Sequence, residues 1–151
     1  MKQRLLLYVP LFLFLFVMGC DSPESPAGDL FIIGGGHRPP EMVADMVRLS
    51  GTATRGTIVI LPMASIEPDT AAFYARAQFL SQGIDEDRIH TIHLTREGLT
   101  EDGFYQLRGA SLIYIPGGSQ ARFMDSLAGT GVAGLLLDVY KEGAMIAGTS
   151  A

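Results

Sequence analysis

The chain has 151 residues, 48% of them hydrophobic and 18% charged, enough to build the core of about one globular domain and unlike a collagen, coiled-coil or disordered composition. Lys and Arg number 11 against 16 Asp and Glu, a formal net charge of −5, so no basic stripe is expected to displace counterions from a phosphate backbone, and nucleic acid is not an expected partner. A single Cys rules out internal disulfides and a thiolate-rich zinc cage.

Met1 to Cys20 opens with Lys2 and Arg4, continues as an apolar run from Leu5 to Met18 and ends on Gly19-Cys20, the organisation of a secretory signal. A spanning helix needs about 20 apolar residues, so cleavage is the better reading of this shorter run. Val17-Met18-Gly19-Cys20 resembles the lipobox of bacterial lipoproteins, and the only Cys falls on its lipidated position. The resemblance implies that residues 1–19 are removed and that the Cys20 thiol carries diacylglycerol. The product would be an exported lipoprotein on the periplasmic or cell-surface face of a lipid bilayer, held by acyl chains at about 0.8 kcal/mol per buried CH₂. An ordinary secretory signal with an incidental Cys, or an uncleaved anchor, is the alternative. Residues 20–28 are small, polar or Pro after the Cys and read as a tether, so the folded domain is expected over 29–151.

Strand and helix patterns then alternate. Leu30 to Ile33 is a short apolar run punctuated by Gly34-Gly35-Gly36, and Thr57 to Leu61 is β-branched and ends at Pro62; both have the pattern of strands buried on two faces. Ile89 to Leu94, Ser111 to Ile115 and Ala144 to Ala147 repeat it, the last two stopped by Pro116-Gly117-Gly118 and by Gly148. Helical patterns lie between them. Pro40 to Leu49 carries Met42, Val43, Met46, Val47 and Leu49, and Asp69 to Ser81 carries Phe73, Ala77 and Leu80. Thr100 to Leu107, Gln120 to Leu127 and Val132 to Lys141 complete the series. The alternation predicts an α/β fold, a mostly parallel sheet in three αβα layers with right-handed crossovers.

Ligands of such sheets sit beyond the carboxyl ends of the strands, where the sequence has Gly34-Gly35-Gly36-His37, Pro62-Met63-Ala64-Ser65, Pro116-Gly117-Gly118-Ser119-Gln120 and Gly148-Thr149-Ser150-Ala151. Gly-Thr-Ser-Ala after an apolar strand matches most of a G-x-S-x-G nucleophile elbow, a tight turn that lifts a Ser hydroxyl above the sheet. Such a turn aims the N–H of the next residue, Ala151, at a developing oxyanion. The Gly117-Gly118 turn lets a second backbone N–H point the same way without steric cost. Ser119 then has the character of a helix cap, and Gln120 can offer its amide to a substrate. An ordinary strand-end turn and a helix start that merely needs glycines account for the same residues without catalysis.

Taken together, in this order and spacing, Gly34-Gly35-Gly36, Pro62-Met63-Ala64-Ser65, Ile115-Pro116-Gly117-Gly118-Ser119-Gln120 and Ala147-Gly148-Thr149-Ser150-Ala151 resemble the cyanophycinase group of the S51 serine peptidases. The resemblance runs from about Leu30 to the last residue. It implies a fold like that of class I glutamine amidotransferases (flavodoxin-like), with Ser in place of their Cys nucleophile. It also implies Ser150 as nucleophile, Gly118 and Ala151 as oxyanion donors, and Gln120 beside a peptide substrate, β-aspartyl in the family. No metal or organic cofactor is implied, and a homodimer is among the partners allowed.

The family's triad His and acid follow the nucleophile, whereas His37, His90 and His93 all precede Ser150, and a Ser hydroxyl without a base in reach is a weak nucleophile. The sequence therefore reads as the amino-terminal part of such a domain, incomplete at its carboxyl end. Alone, the chain is expected to be poorly folded and inactive, with apolar sheet surface uncovered.

The remaining candidates are weaker. His37 stands at the catalytic edge, open to substrate contact or to solvent. Ser65 has either a substrate contact or a capping role. Arg122 is read as a carboxylate binder or a surface ion pair. His90 and His93 are read as structural or exposed. Glu41 and Asp45 share a solvated helix face. Gly34-Gly35-Gly36 lacks the third glycine and downstream acid of a dinucleotide site. An α/β-hydrolase-type esterase and a non-catalytic surface lipoprotein of the same fold are the competing readings.

Overall fold

The elements start where local chemistry starts them. Pro occupies the first turn of two helices, where its missing N–H is not needed, and Thr100 and Ser119 cap two more by accepting the N–H of Gly103 and Arg122. The computed structural model describes residues 28–150; the signal sequence, Cys20, the rest of the tether and Ala151 lie outside the described residues. In chain order the elements are β1 (Leu30–Ile33), α1 (Pro40–Leu49), β2 (Thr57–Ile60), α2 (Pro68–Leu80), β3 (Ile89–Thr91), α3 (Glu101–Arg108), β4 (Ala110–Ile115), α4 (Gln120–Leu127), α5 (Val132–Lys141) and β5 (Met145–Thr149). Short 3-10 turns fill Pro62–Ala64 and Glu86–Arg88.

The five strands form one sheet in the order β1-β5-β4-β2-β3, every neighbouring pair parallel. Two apolar layers cover it. Val43, Met46 and Val47 of α1 and Ala72, Ala75 and Phe79 of α2 pack with Ile58, Leu112 and Tyr114 on one face. Leu107 of α3, Leu127 of α4 and Val132, Leu136 and Val139 of α5 pack with Val59 and Ile113 on the other. The loops leaving the neighbouring strands β2 and β4 therefore run to opposite faces, which opens a crevice between them at the carboxyl edge.

The structure differs from the sequence reading in four places. β5 runs through Gly148 to Thr149 because it is paired on both sides, Gly148 lying opposite both Ile32 and Ile115. β3 ends at Thr91, since only β2 pairs with it. The buried face of α2 is Ala72, Ala75 and Phe79 rather than Phe73, Ala77 and Leu80; Phe73 is 67% exposed. Small side chains bring that helix close to the sheet and turn its larger ones outward. Gly28, assigned to the tether, is buried where a Cβ would strike the carbonyl oxygens of Tyr140 and Ala144, so the packed domain already includes it.

At the edge strand β1, Ile33 is buried under α1 while Ile32, facing the other way, is 85% exposed and Leu30 is 59% exposed. Among the described residues, nothing covers the apolar sheet surface on that side. Among the described residues no helix is long and apolar enough to cross a membrane.

Candidate active site

Ser150 is the first residue beyond β5, and its N–H donates to the Ile33 carbonyl of β1 at 2.9 Å. The backbone is thereby held in line with the sheet up to the point where the side chain emerges, and Ser150 is exposed. The loop after β4 closes against it. A Cβ on Gly117 would lie 2.6 Å from the Ser150 carbonyl oxygen, a contact between two backbones that only glycine permits. Gly118 has φ of +151°, and a Cβ there would fall on the Ala64 carbonyl. Both glycines are thus required by contact, one with the end of β5 at Ser150 and one with the loop after β2.

The Ala64 carbonyl ties this arrangement together. It accepts the Ser119 N–H at 2.9 Å and an Nη1–H of Arg122 at 2.6 Å. Arg122 forms no ion pair among the described residues, and its bond to Ala64 ties the β2 loop to α4. The Gly118 N–H has no acceptor among the described residues. The first turn of α4 lines the same place, so the positive end of its dipole lies beside Ser150.

These parts enclose a pocket of about 270 Å³ lined by Ser150, Thr149, Gly118, Gln120, Phe123 and Ile115 among others. It brings together three of the residues singled out in the sequence: Ser150, Gly118 and Gln120. Ser65 stays outside the lining; its hydroxyl accepts the Glu67 N–H at 3.1 Å and shapes the entry to α2. His37 lines a different hollow, between the β1–α1 loop and α2. His90 lies in β3 at the far edge, and exposed His93 stands 3.4 Å from Asp69. No histidine lines the Ser150 pocket. Among the described residues, no group of three His, Cys, Asp or Glu side chains converges as a metal site would require.

Sequence reasoning missed the support behind the nucleophile. The Thr149 hydroxyl lies 3.0 Å from the Tyr114 hydroxyl and accepts an Nη1–H of Arg38 at 3.3 Å, while Arg38 Nε–H donates to Gln78 Oε1 at 2.9 Å. Tyr114 is buried and meets Phe79 edge-on, ring centroids 5.4 Å apart. Three elements besides β5 thus hold the residue before Ser150. The only local signal was a Thr next to a candidate nucleophile.

Comparison with known proteins places this geometry. The model of peptidase family S51 matches residues 30–151. A peptidase from an acI-B1 Actinobacterium shares the fold at 22% identity with a TM-score of 0.65, over 82% of this chain and 54% of that one. A protein from Listeria monocytogenes EGD-e, provisionally described as peptidase E, shares it at 20% identity with a TM-score of 0.57, over 82% of this chain and 58% of that one. The chain thus spans a little over half the length of these two structures. No curated protein sequence matches it.

Proposed function

The chain belongs to peptidase family S51, a family of serine-type peptidases, and from that premise we propose that it carries the nucleophile and oxyanion half of a site that hydrolyses amide bonds, β-aspartyl linkages in particular. The observation supporting this most directly is the single pocket shared by Ser150, Gly118 and Gln120.

In this reading the Ser150 Oγ–H adds to the amide carbonyl, its proton passing to a general base. The oxygen that becomes negative is received by the N–H groups of Gly118, held by the glycine turn, and of Ala151, the residue after the nucleophile. The C–N bond then breaks, the base returns the proton to the departing amine, and water hydrolyses the acyl ester on Ser150. Gln120 orients the substrate amide. The base and its acidic partner are assigned to the segment that follows the nucleophile in the family. The site requires no cofactor.

The test is hydrolysis of a β-aspartyl dipeptide by the full gene product. Wild type should release the amine, and Ser150→Ala should lose about a thousandfold or more of that rate. A Ser150→Ala protein that keeps the rate overturns the assignment, and cleavage of esters without β-aspartyl amides overturns the substrate class. The same reading keeps the enzyme exported and tethered through acylated Cys20. Metabolic labelling with a fatty acid should disappear in Cys20→Ala, and retained label would contradict lipidation there.

A further inference from the structure

Arg38 differs in its surroundings from the other bonded arginines. Arg48, Arg76 and Arg108 pair with carboxylates, and Arg88 and Arg122 are spent on backbone carbonyls. Arg38 is half-buried and bonds only to the neutral side chains of Gln78 and Thr149. Among the described residues it forms no ion pair, and its Nη2 makes no hydrogen bond. These contacts fix the guanidinium plane while leaving one edge unused, in a chain where acidic residues outnumber basic ones.

Arg38 lines an open hollow of about 490 Å³ with Gly36, His37, Tyr74, Gln78 and Ser81 among others, and among the described residues the lining has no Asp or Glu. Thr149 joins it to the nucleophile: this residue lines the Ser150 pocket and takes its hydrogen bond from Arg38. A pre-oriented guanidinium with no counter-ion among the described residues matches a carboxylate in both charge and fork geometry.

An aspartyl amide presents such a carboxylate. Three C–C bonds of about 1.5 Å separate its free carboxyl carbon from the scissile carbonyl carbon, a span of roughly 4 Å. A substrate acylating Ser150 therefore carries its charge about one residue's reach away, on the scale of the step from Ser150 to Thr149. We infer that Arg38 is a specificity-determining residue: the hollow beside Thr149 is a subsite for the substrate's free carboxylate, and Arg38 binds it. The inference rests on the reading of Ser150 as nucleophile.

The experiment measures binding by calorimetry to the full gene product carrying Ser150→Ala, which prevents turnover. Two probes are used, β-aspartyl-alanine and the same dipeptide with its aspartyl α-carboxylate converted to a carboxamide. The acid should bind about tenfold or more tightly than the amide, as a charge-assisted bidentate pair implies. Adding Arg38→Gln should remove the preference with little change in amide binding, and Arg38→Lys should restore part of it. If Arg38 is only a strap between the β1–α1 loop and α2, Arg38→Gln will weaken both probes alike, which overturns the subsite. A preference that survives Arg38→Gln also overturns it. Binding of both probes without preference defeats the subsite alone, whereas failure of both to bind defeats the hydrolase reading with it.

Discussion

Two glycine turns leave the carboxyl edge of this sheet, and in the sequence they look alike. Gly34-Gly35-Gly36 follows β1, and Gly117-Gly118 follows β4. Their surroundings are opposite. A Cβ on Gly34 would meet nothing within 4 Å, whereas one on Gly117 would press on the Ser150 carbonyl and one on Gly118 on the Ala64 carbonyl. The first turn has room for a side chain; the second is a joint where three backbones touch. Contact, and not the presence of glycine, distinguishes the turn beside Ser150.

The largest effect expected from breaking this contrast belongs to Gly118→Ala. The new methyl would meet a carbonyl already held by Ser119 and Arg122, and φ of +151° is itself strained for any residue with a Cβ. Backbone strain and overpacking together should cost roughly 2–5 kcal/mol. The fall should be seen in urea as a lower midpoint with an unchanged slope. Activity of the full gene product should fall further than stability explains, because the loop that relieves the clash carries the Gly118 N–H. An Ala variant with wild-type midpoint and rate would show that the three loops are not locked at Ala64.

Much of the fold could be read in advance because each parallel strand is a continuous apolar run and each exit is marked by Pro or Gly. The Ser119 cap and the Gly118, Gln120 and Ser150 constellation were legible for the same reason: their signals are local. What was not legible depends on residues far apart in the chain. Tyr114 reaches Thr149 only because the register sets Tyr114 opposite Ala147, and Arg38 reaches Thr149 across 111 residues of sequence. Arg122 reads in the sequence as a carboxylate binder or a surface ion pair, and the carbonyl it bonds comes from the distant loop after β2. The buried face of α2 is Ala72, Ala75 and Phe79 rather than Phe73, Ala77 and Leu80, because the two alanines are small enough to let the helix approach the sheet. His37 and Ser65 stand close to strand ends, yet neither lines the Ser150 pocket: the β1–α1 loop carries His37 into the neighbouring hollow, and Ser65 turns to the start of α2.

The smallest effect expected is that of Gly34→Ala, and it tests the comparison from its other side. Gly34 is not among the glycines with positive φ, and its missing side chain would project into open space. Alanine there should therefore fit the native backbone while restricting the unfolded chain, leaving stability unchanged or raising it by about 0.4–1 kcal/mol. The hydrolysis rate should stay within about twofold, a shift of roughly 0.4 kcal/mol in the barrier. A loss comparable to that of Gly118→Ala would mean that the β1 turn closes on the site during reaction, and glycine there would then be needed for approach to the substrate rather than for the turn itself.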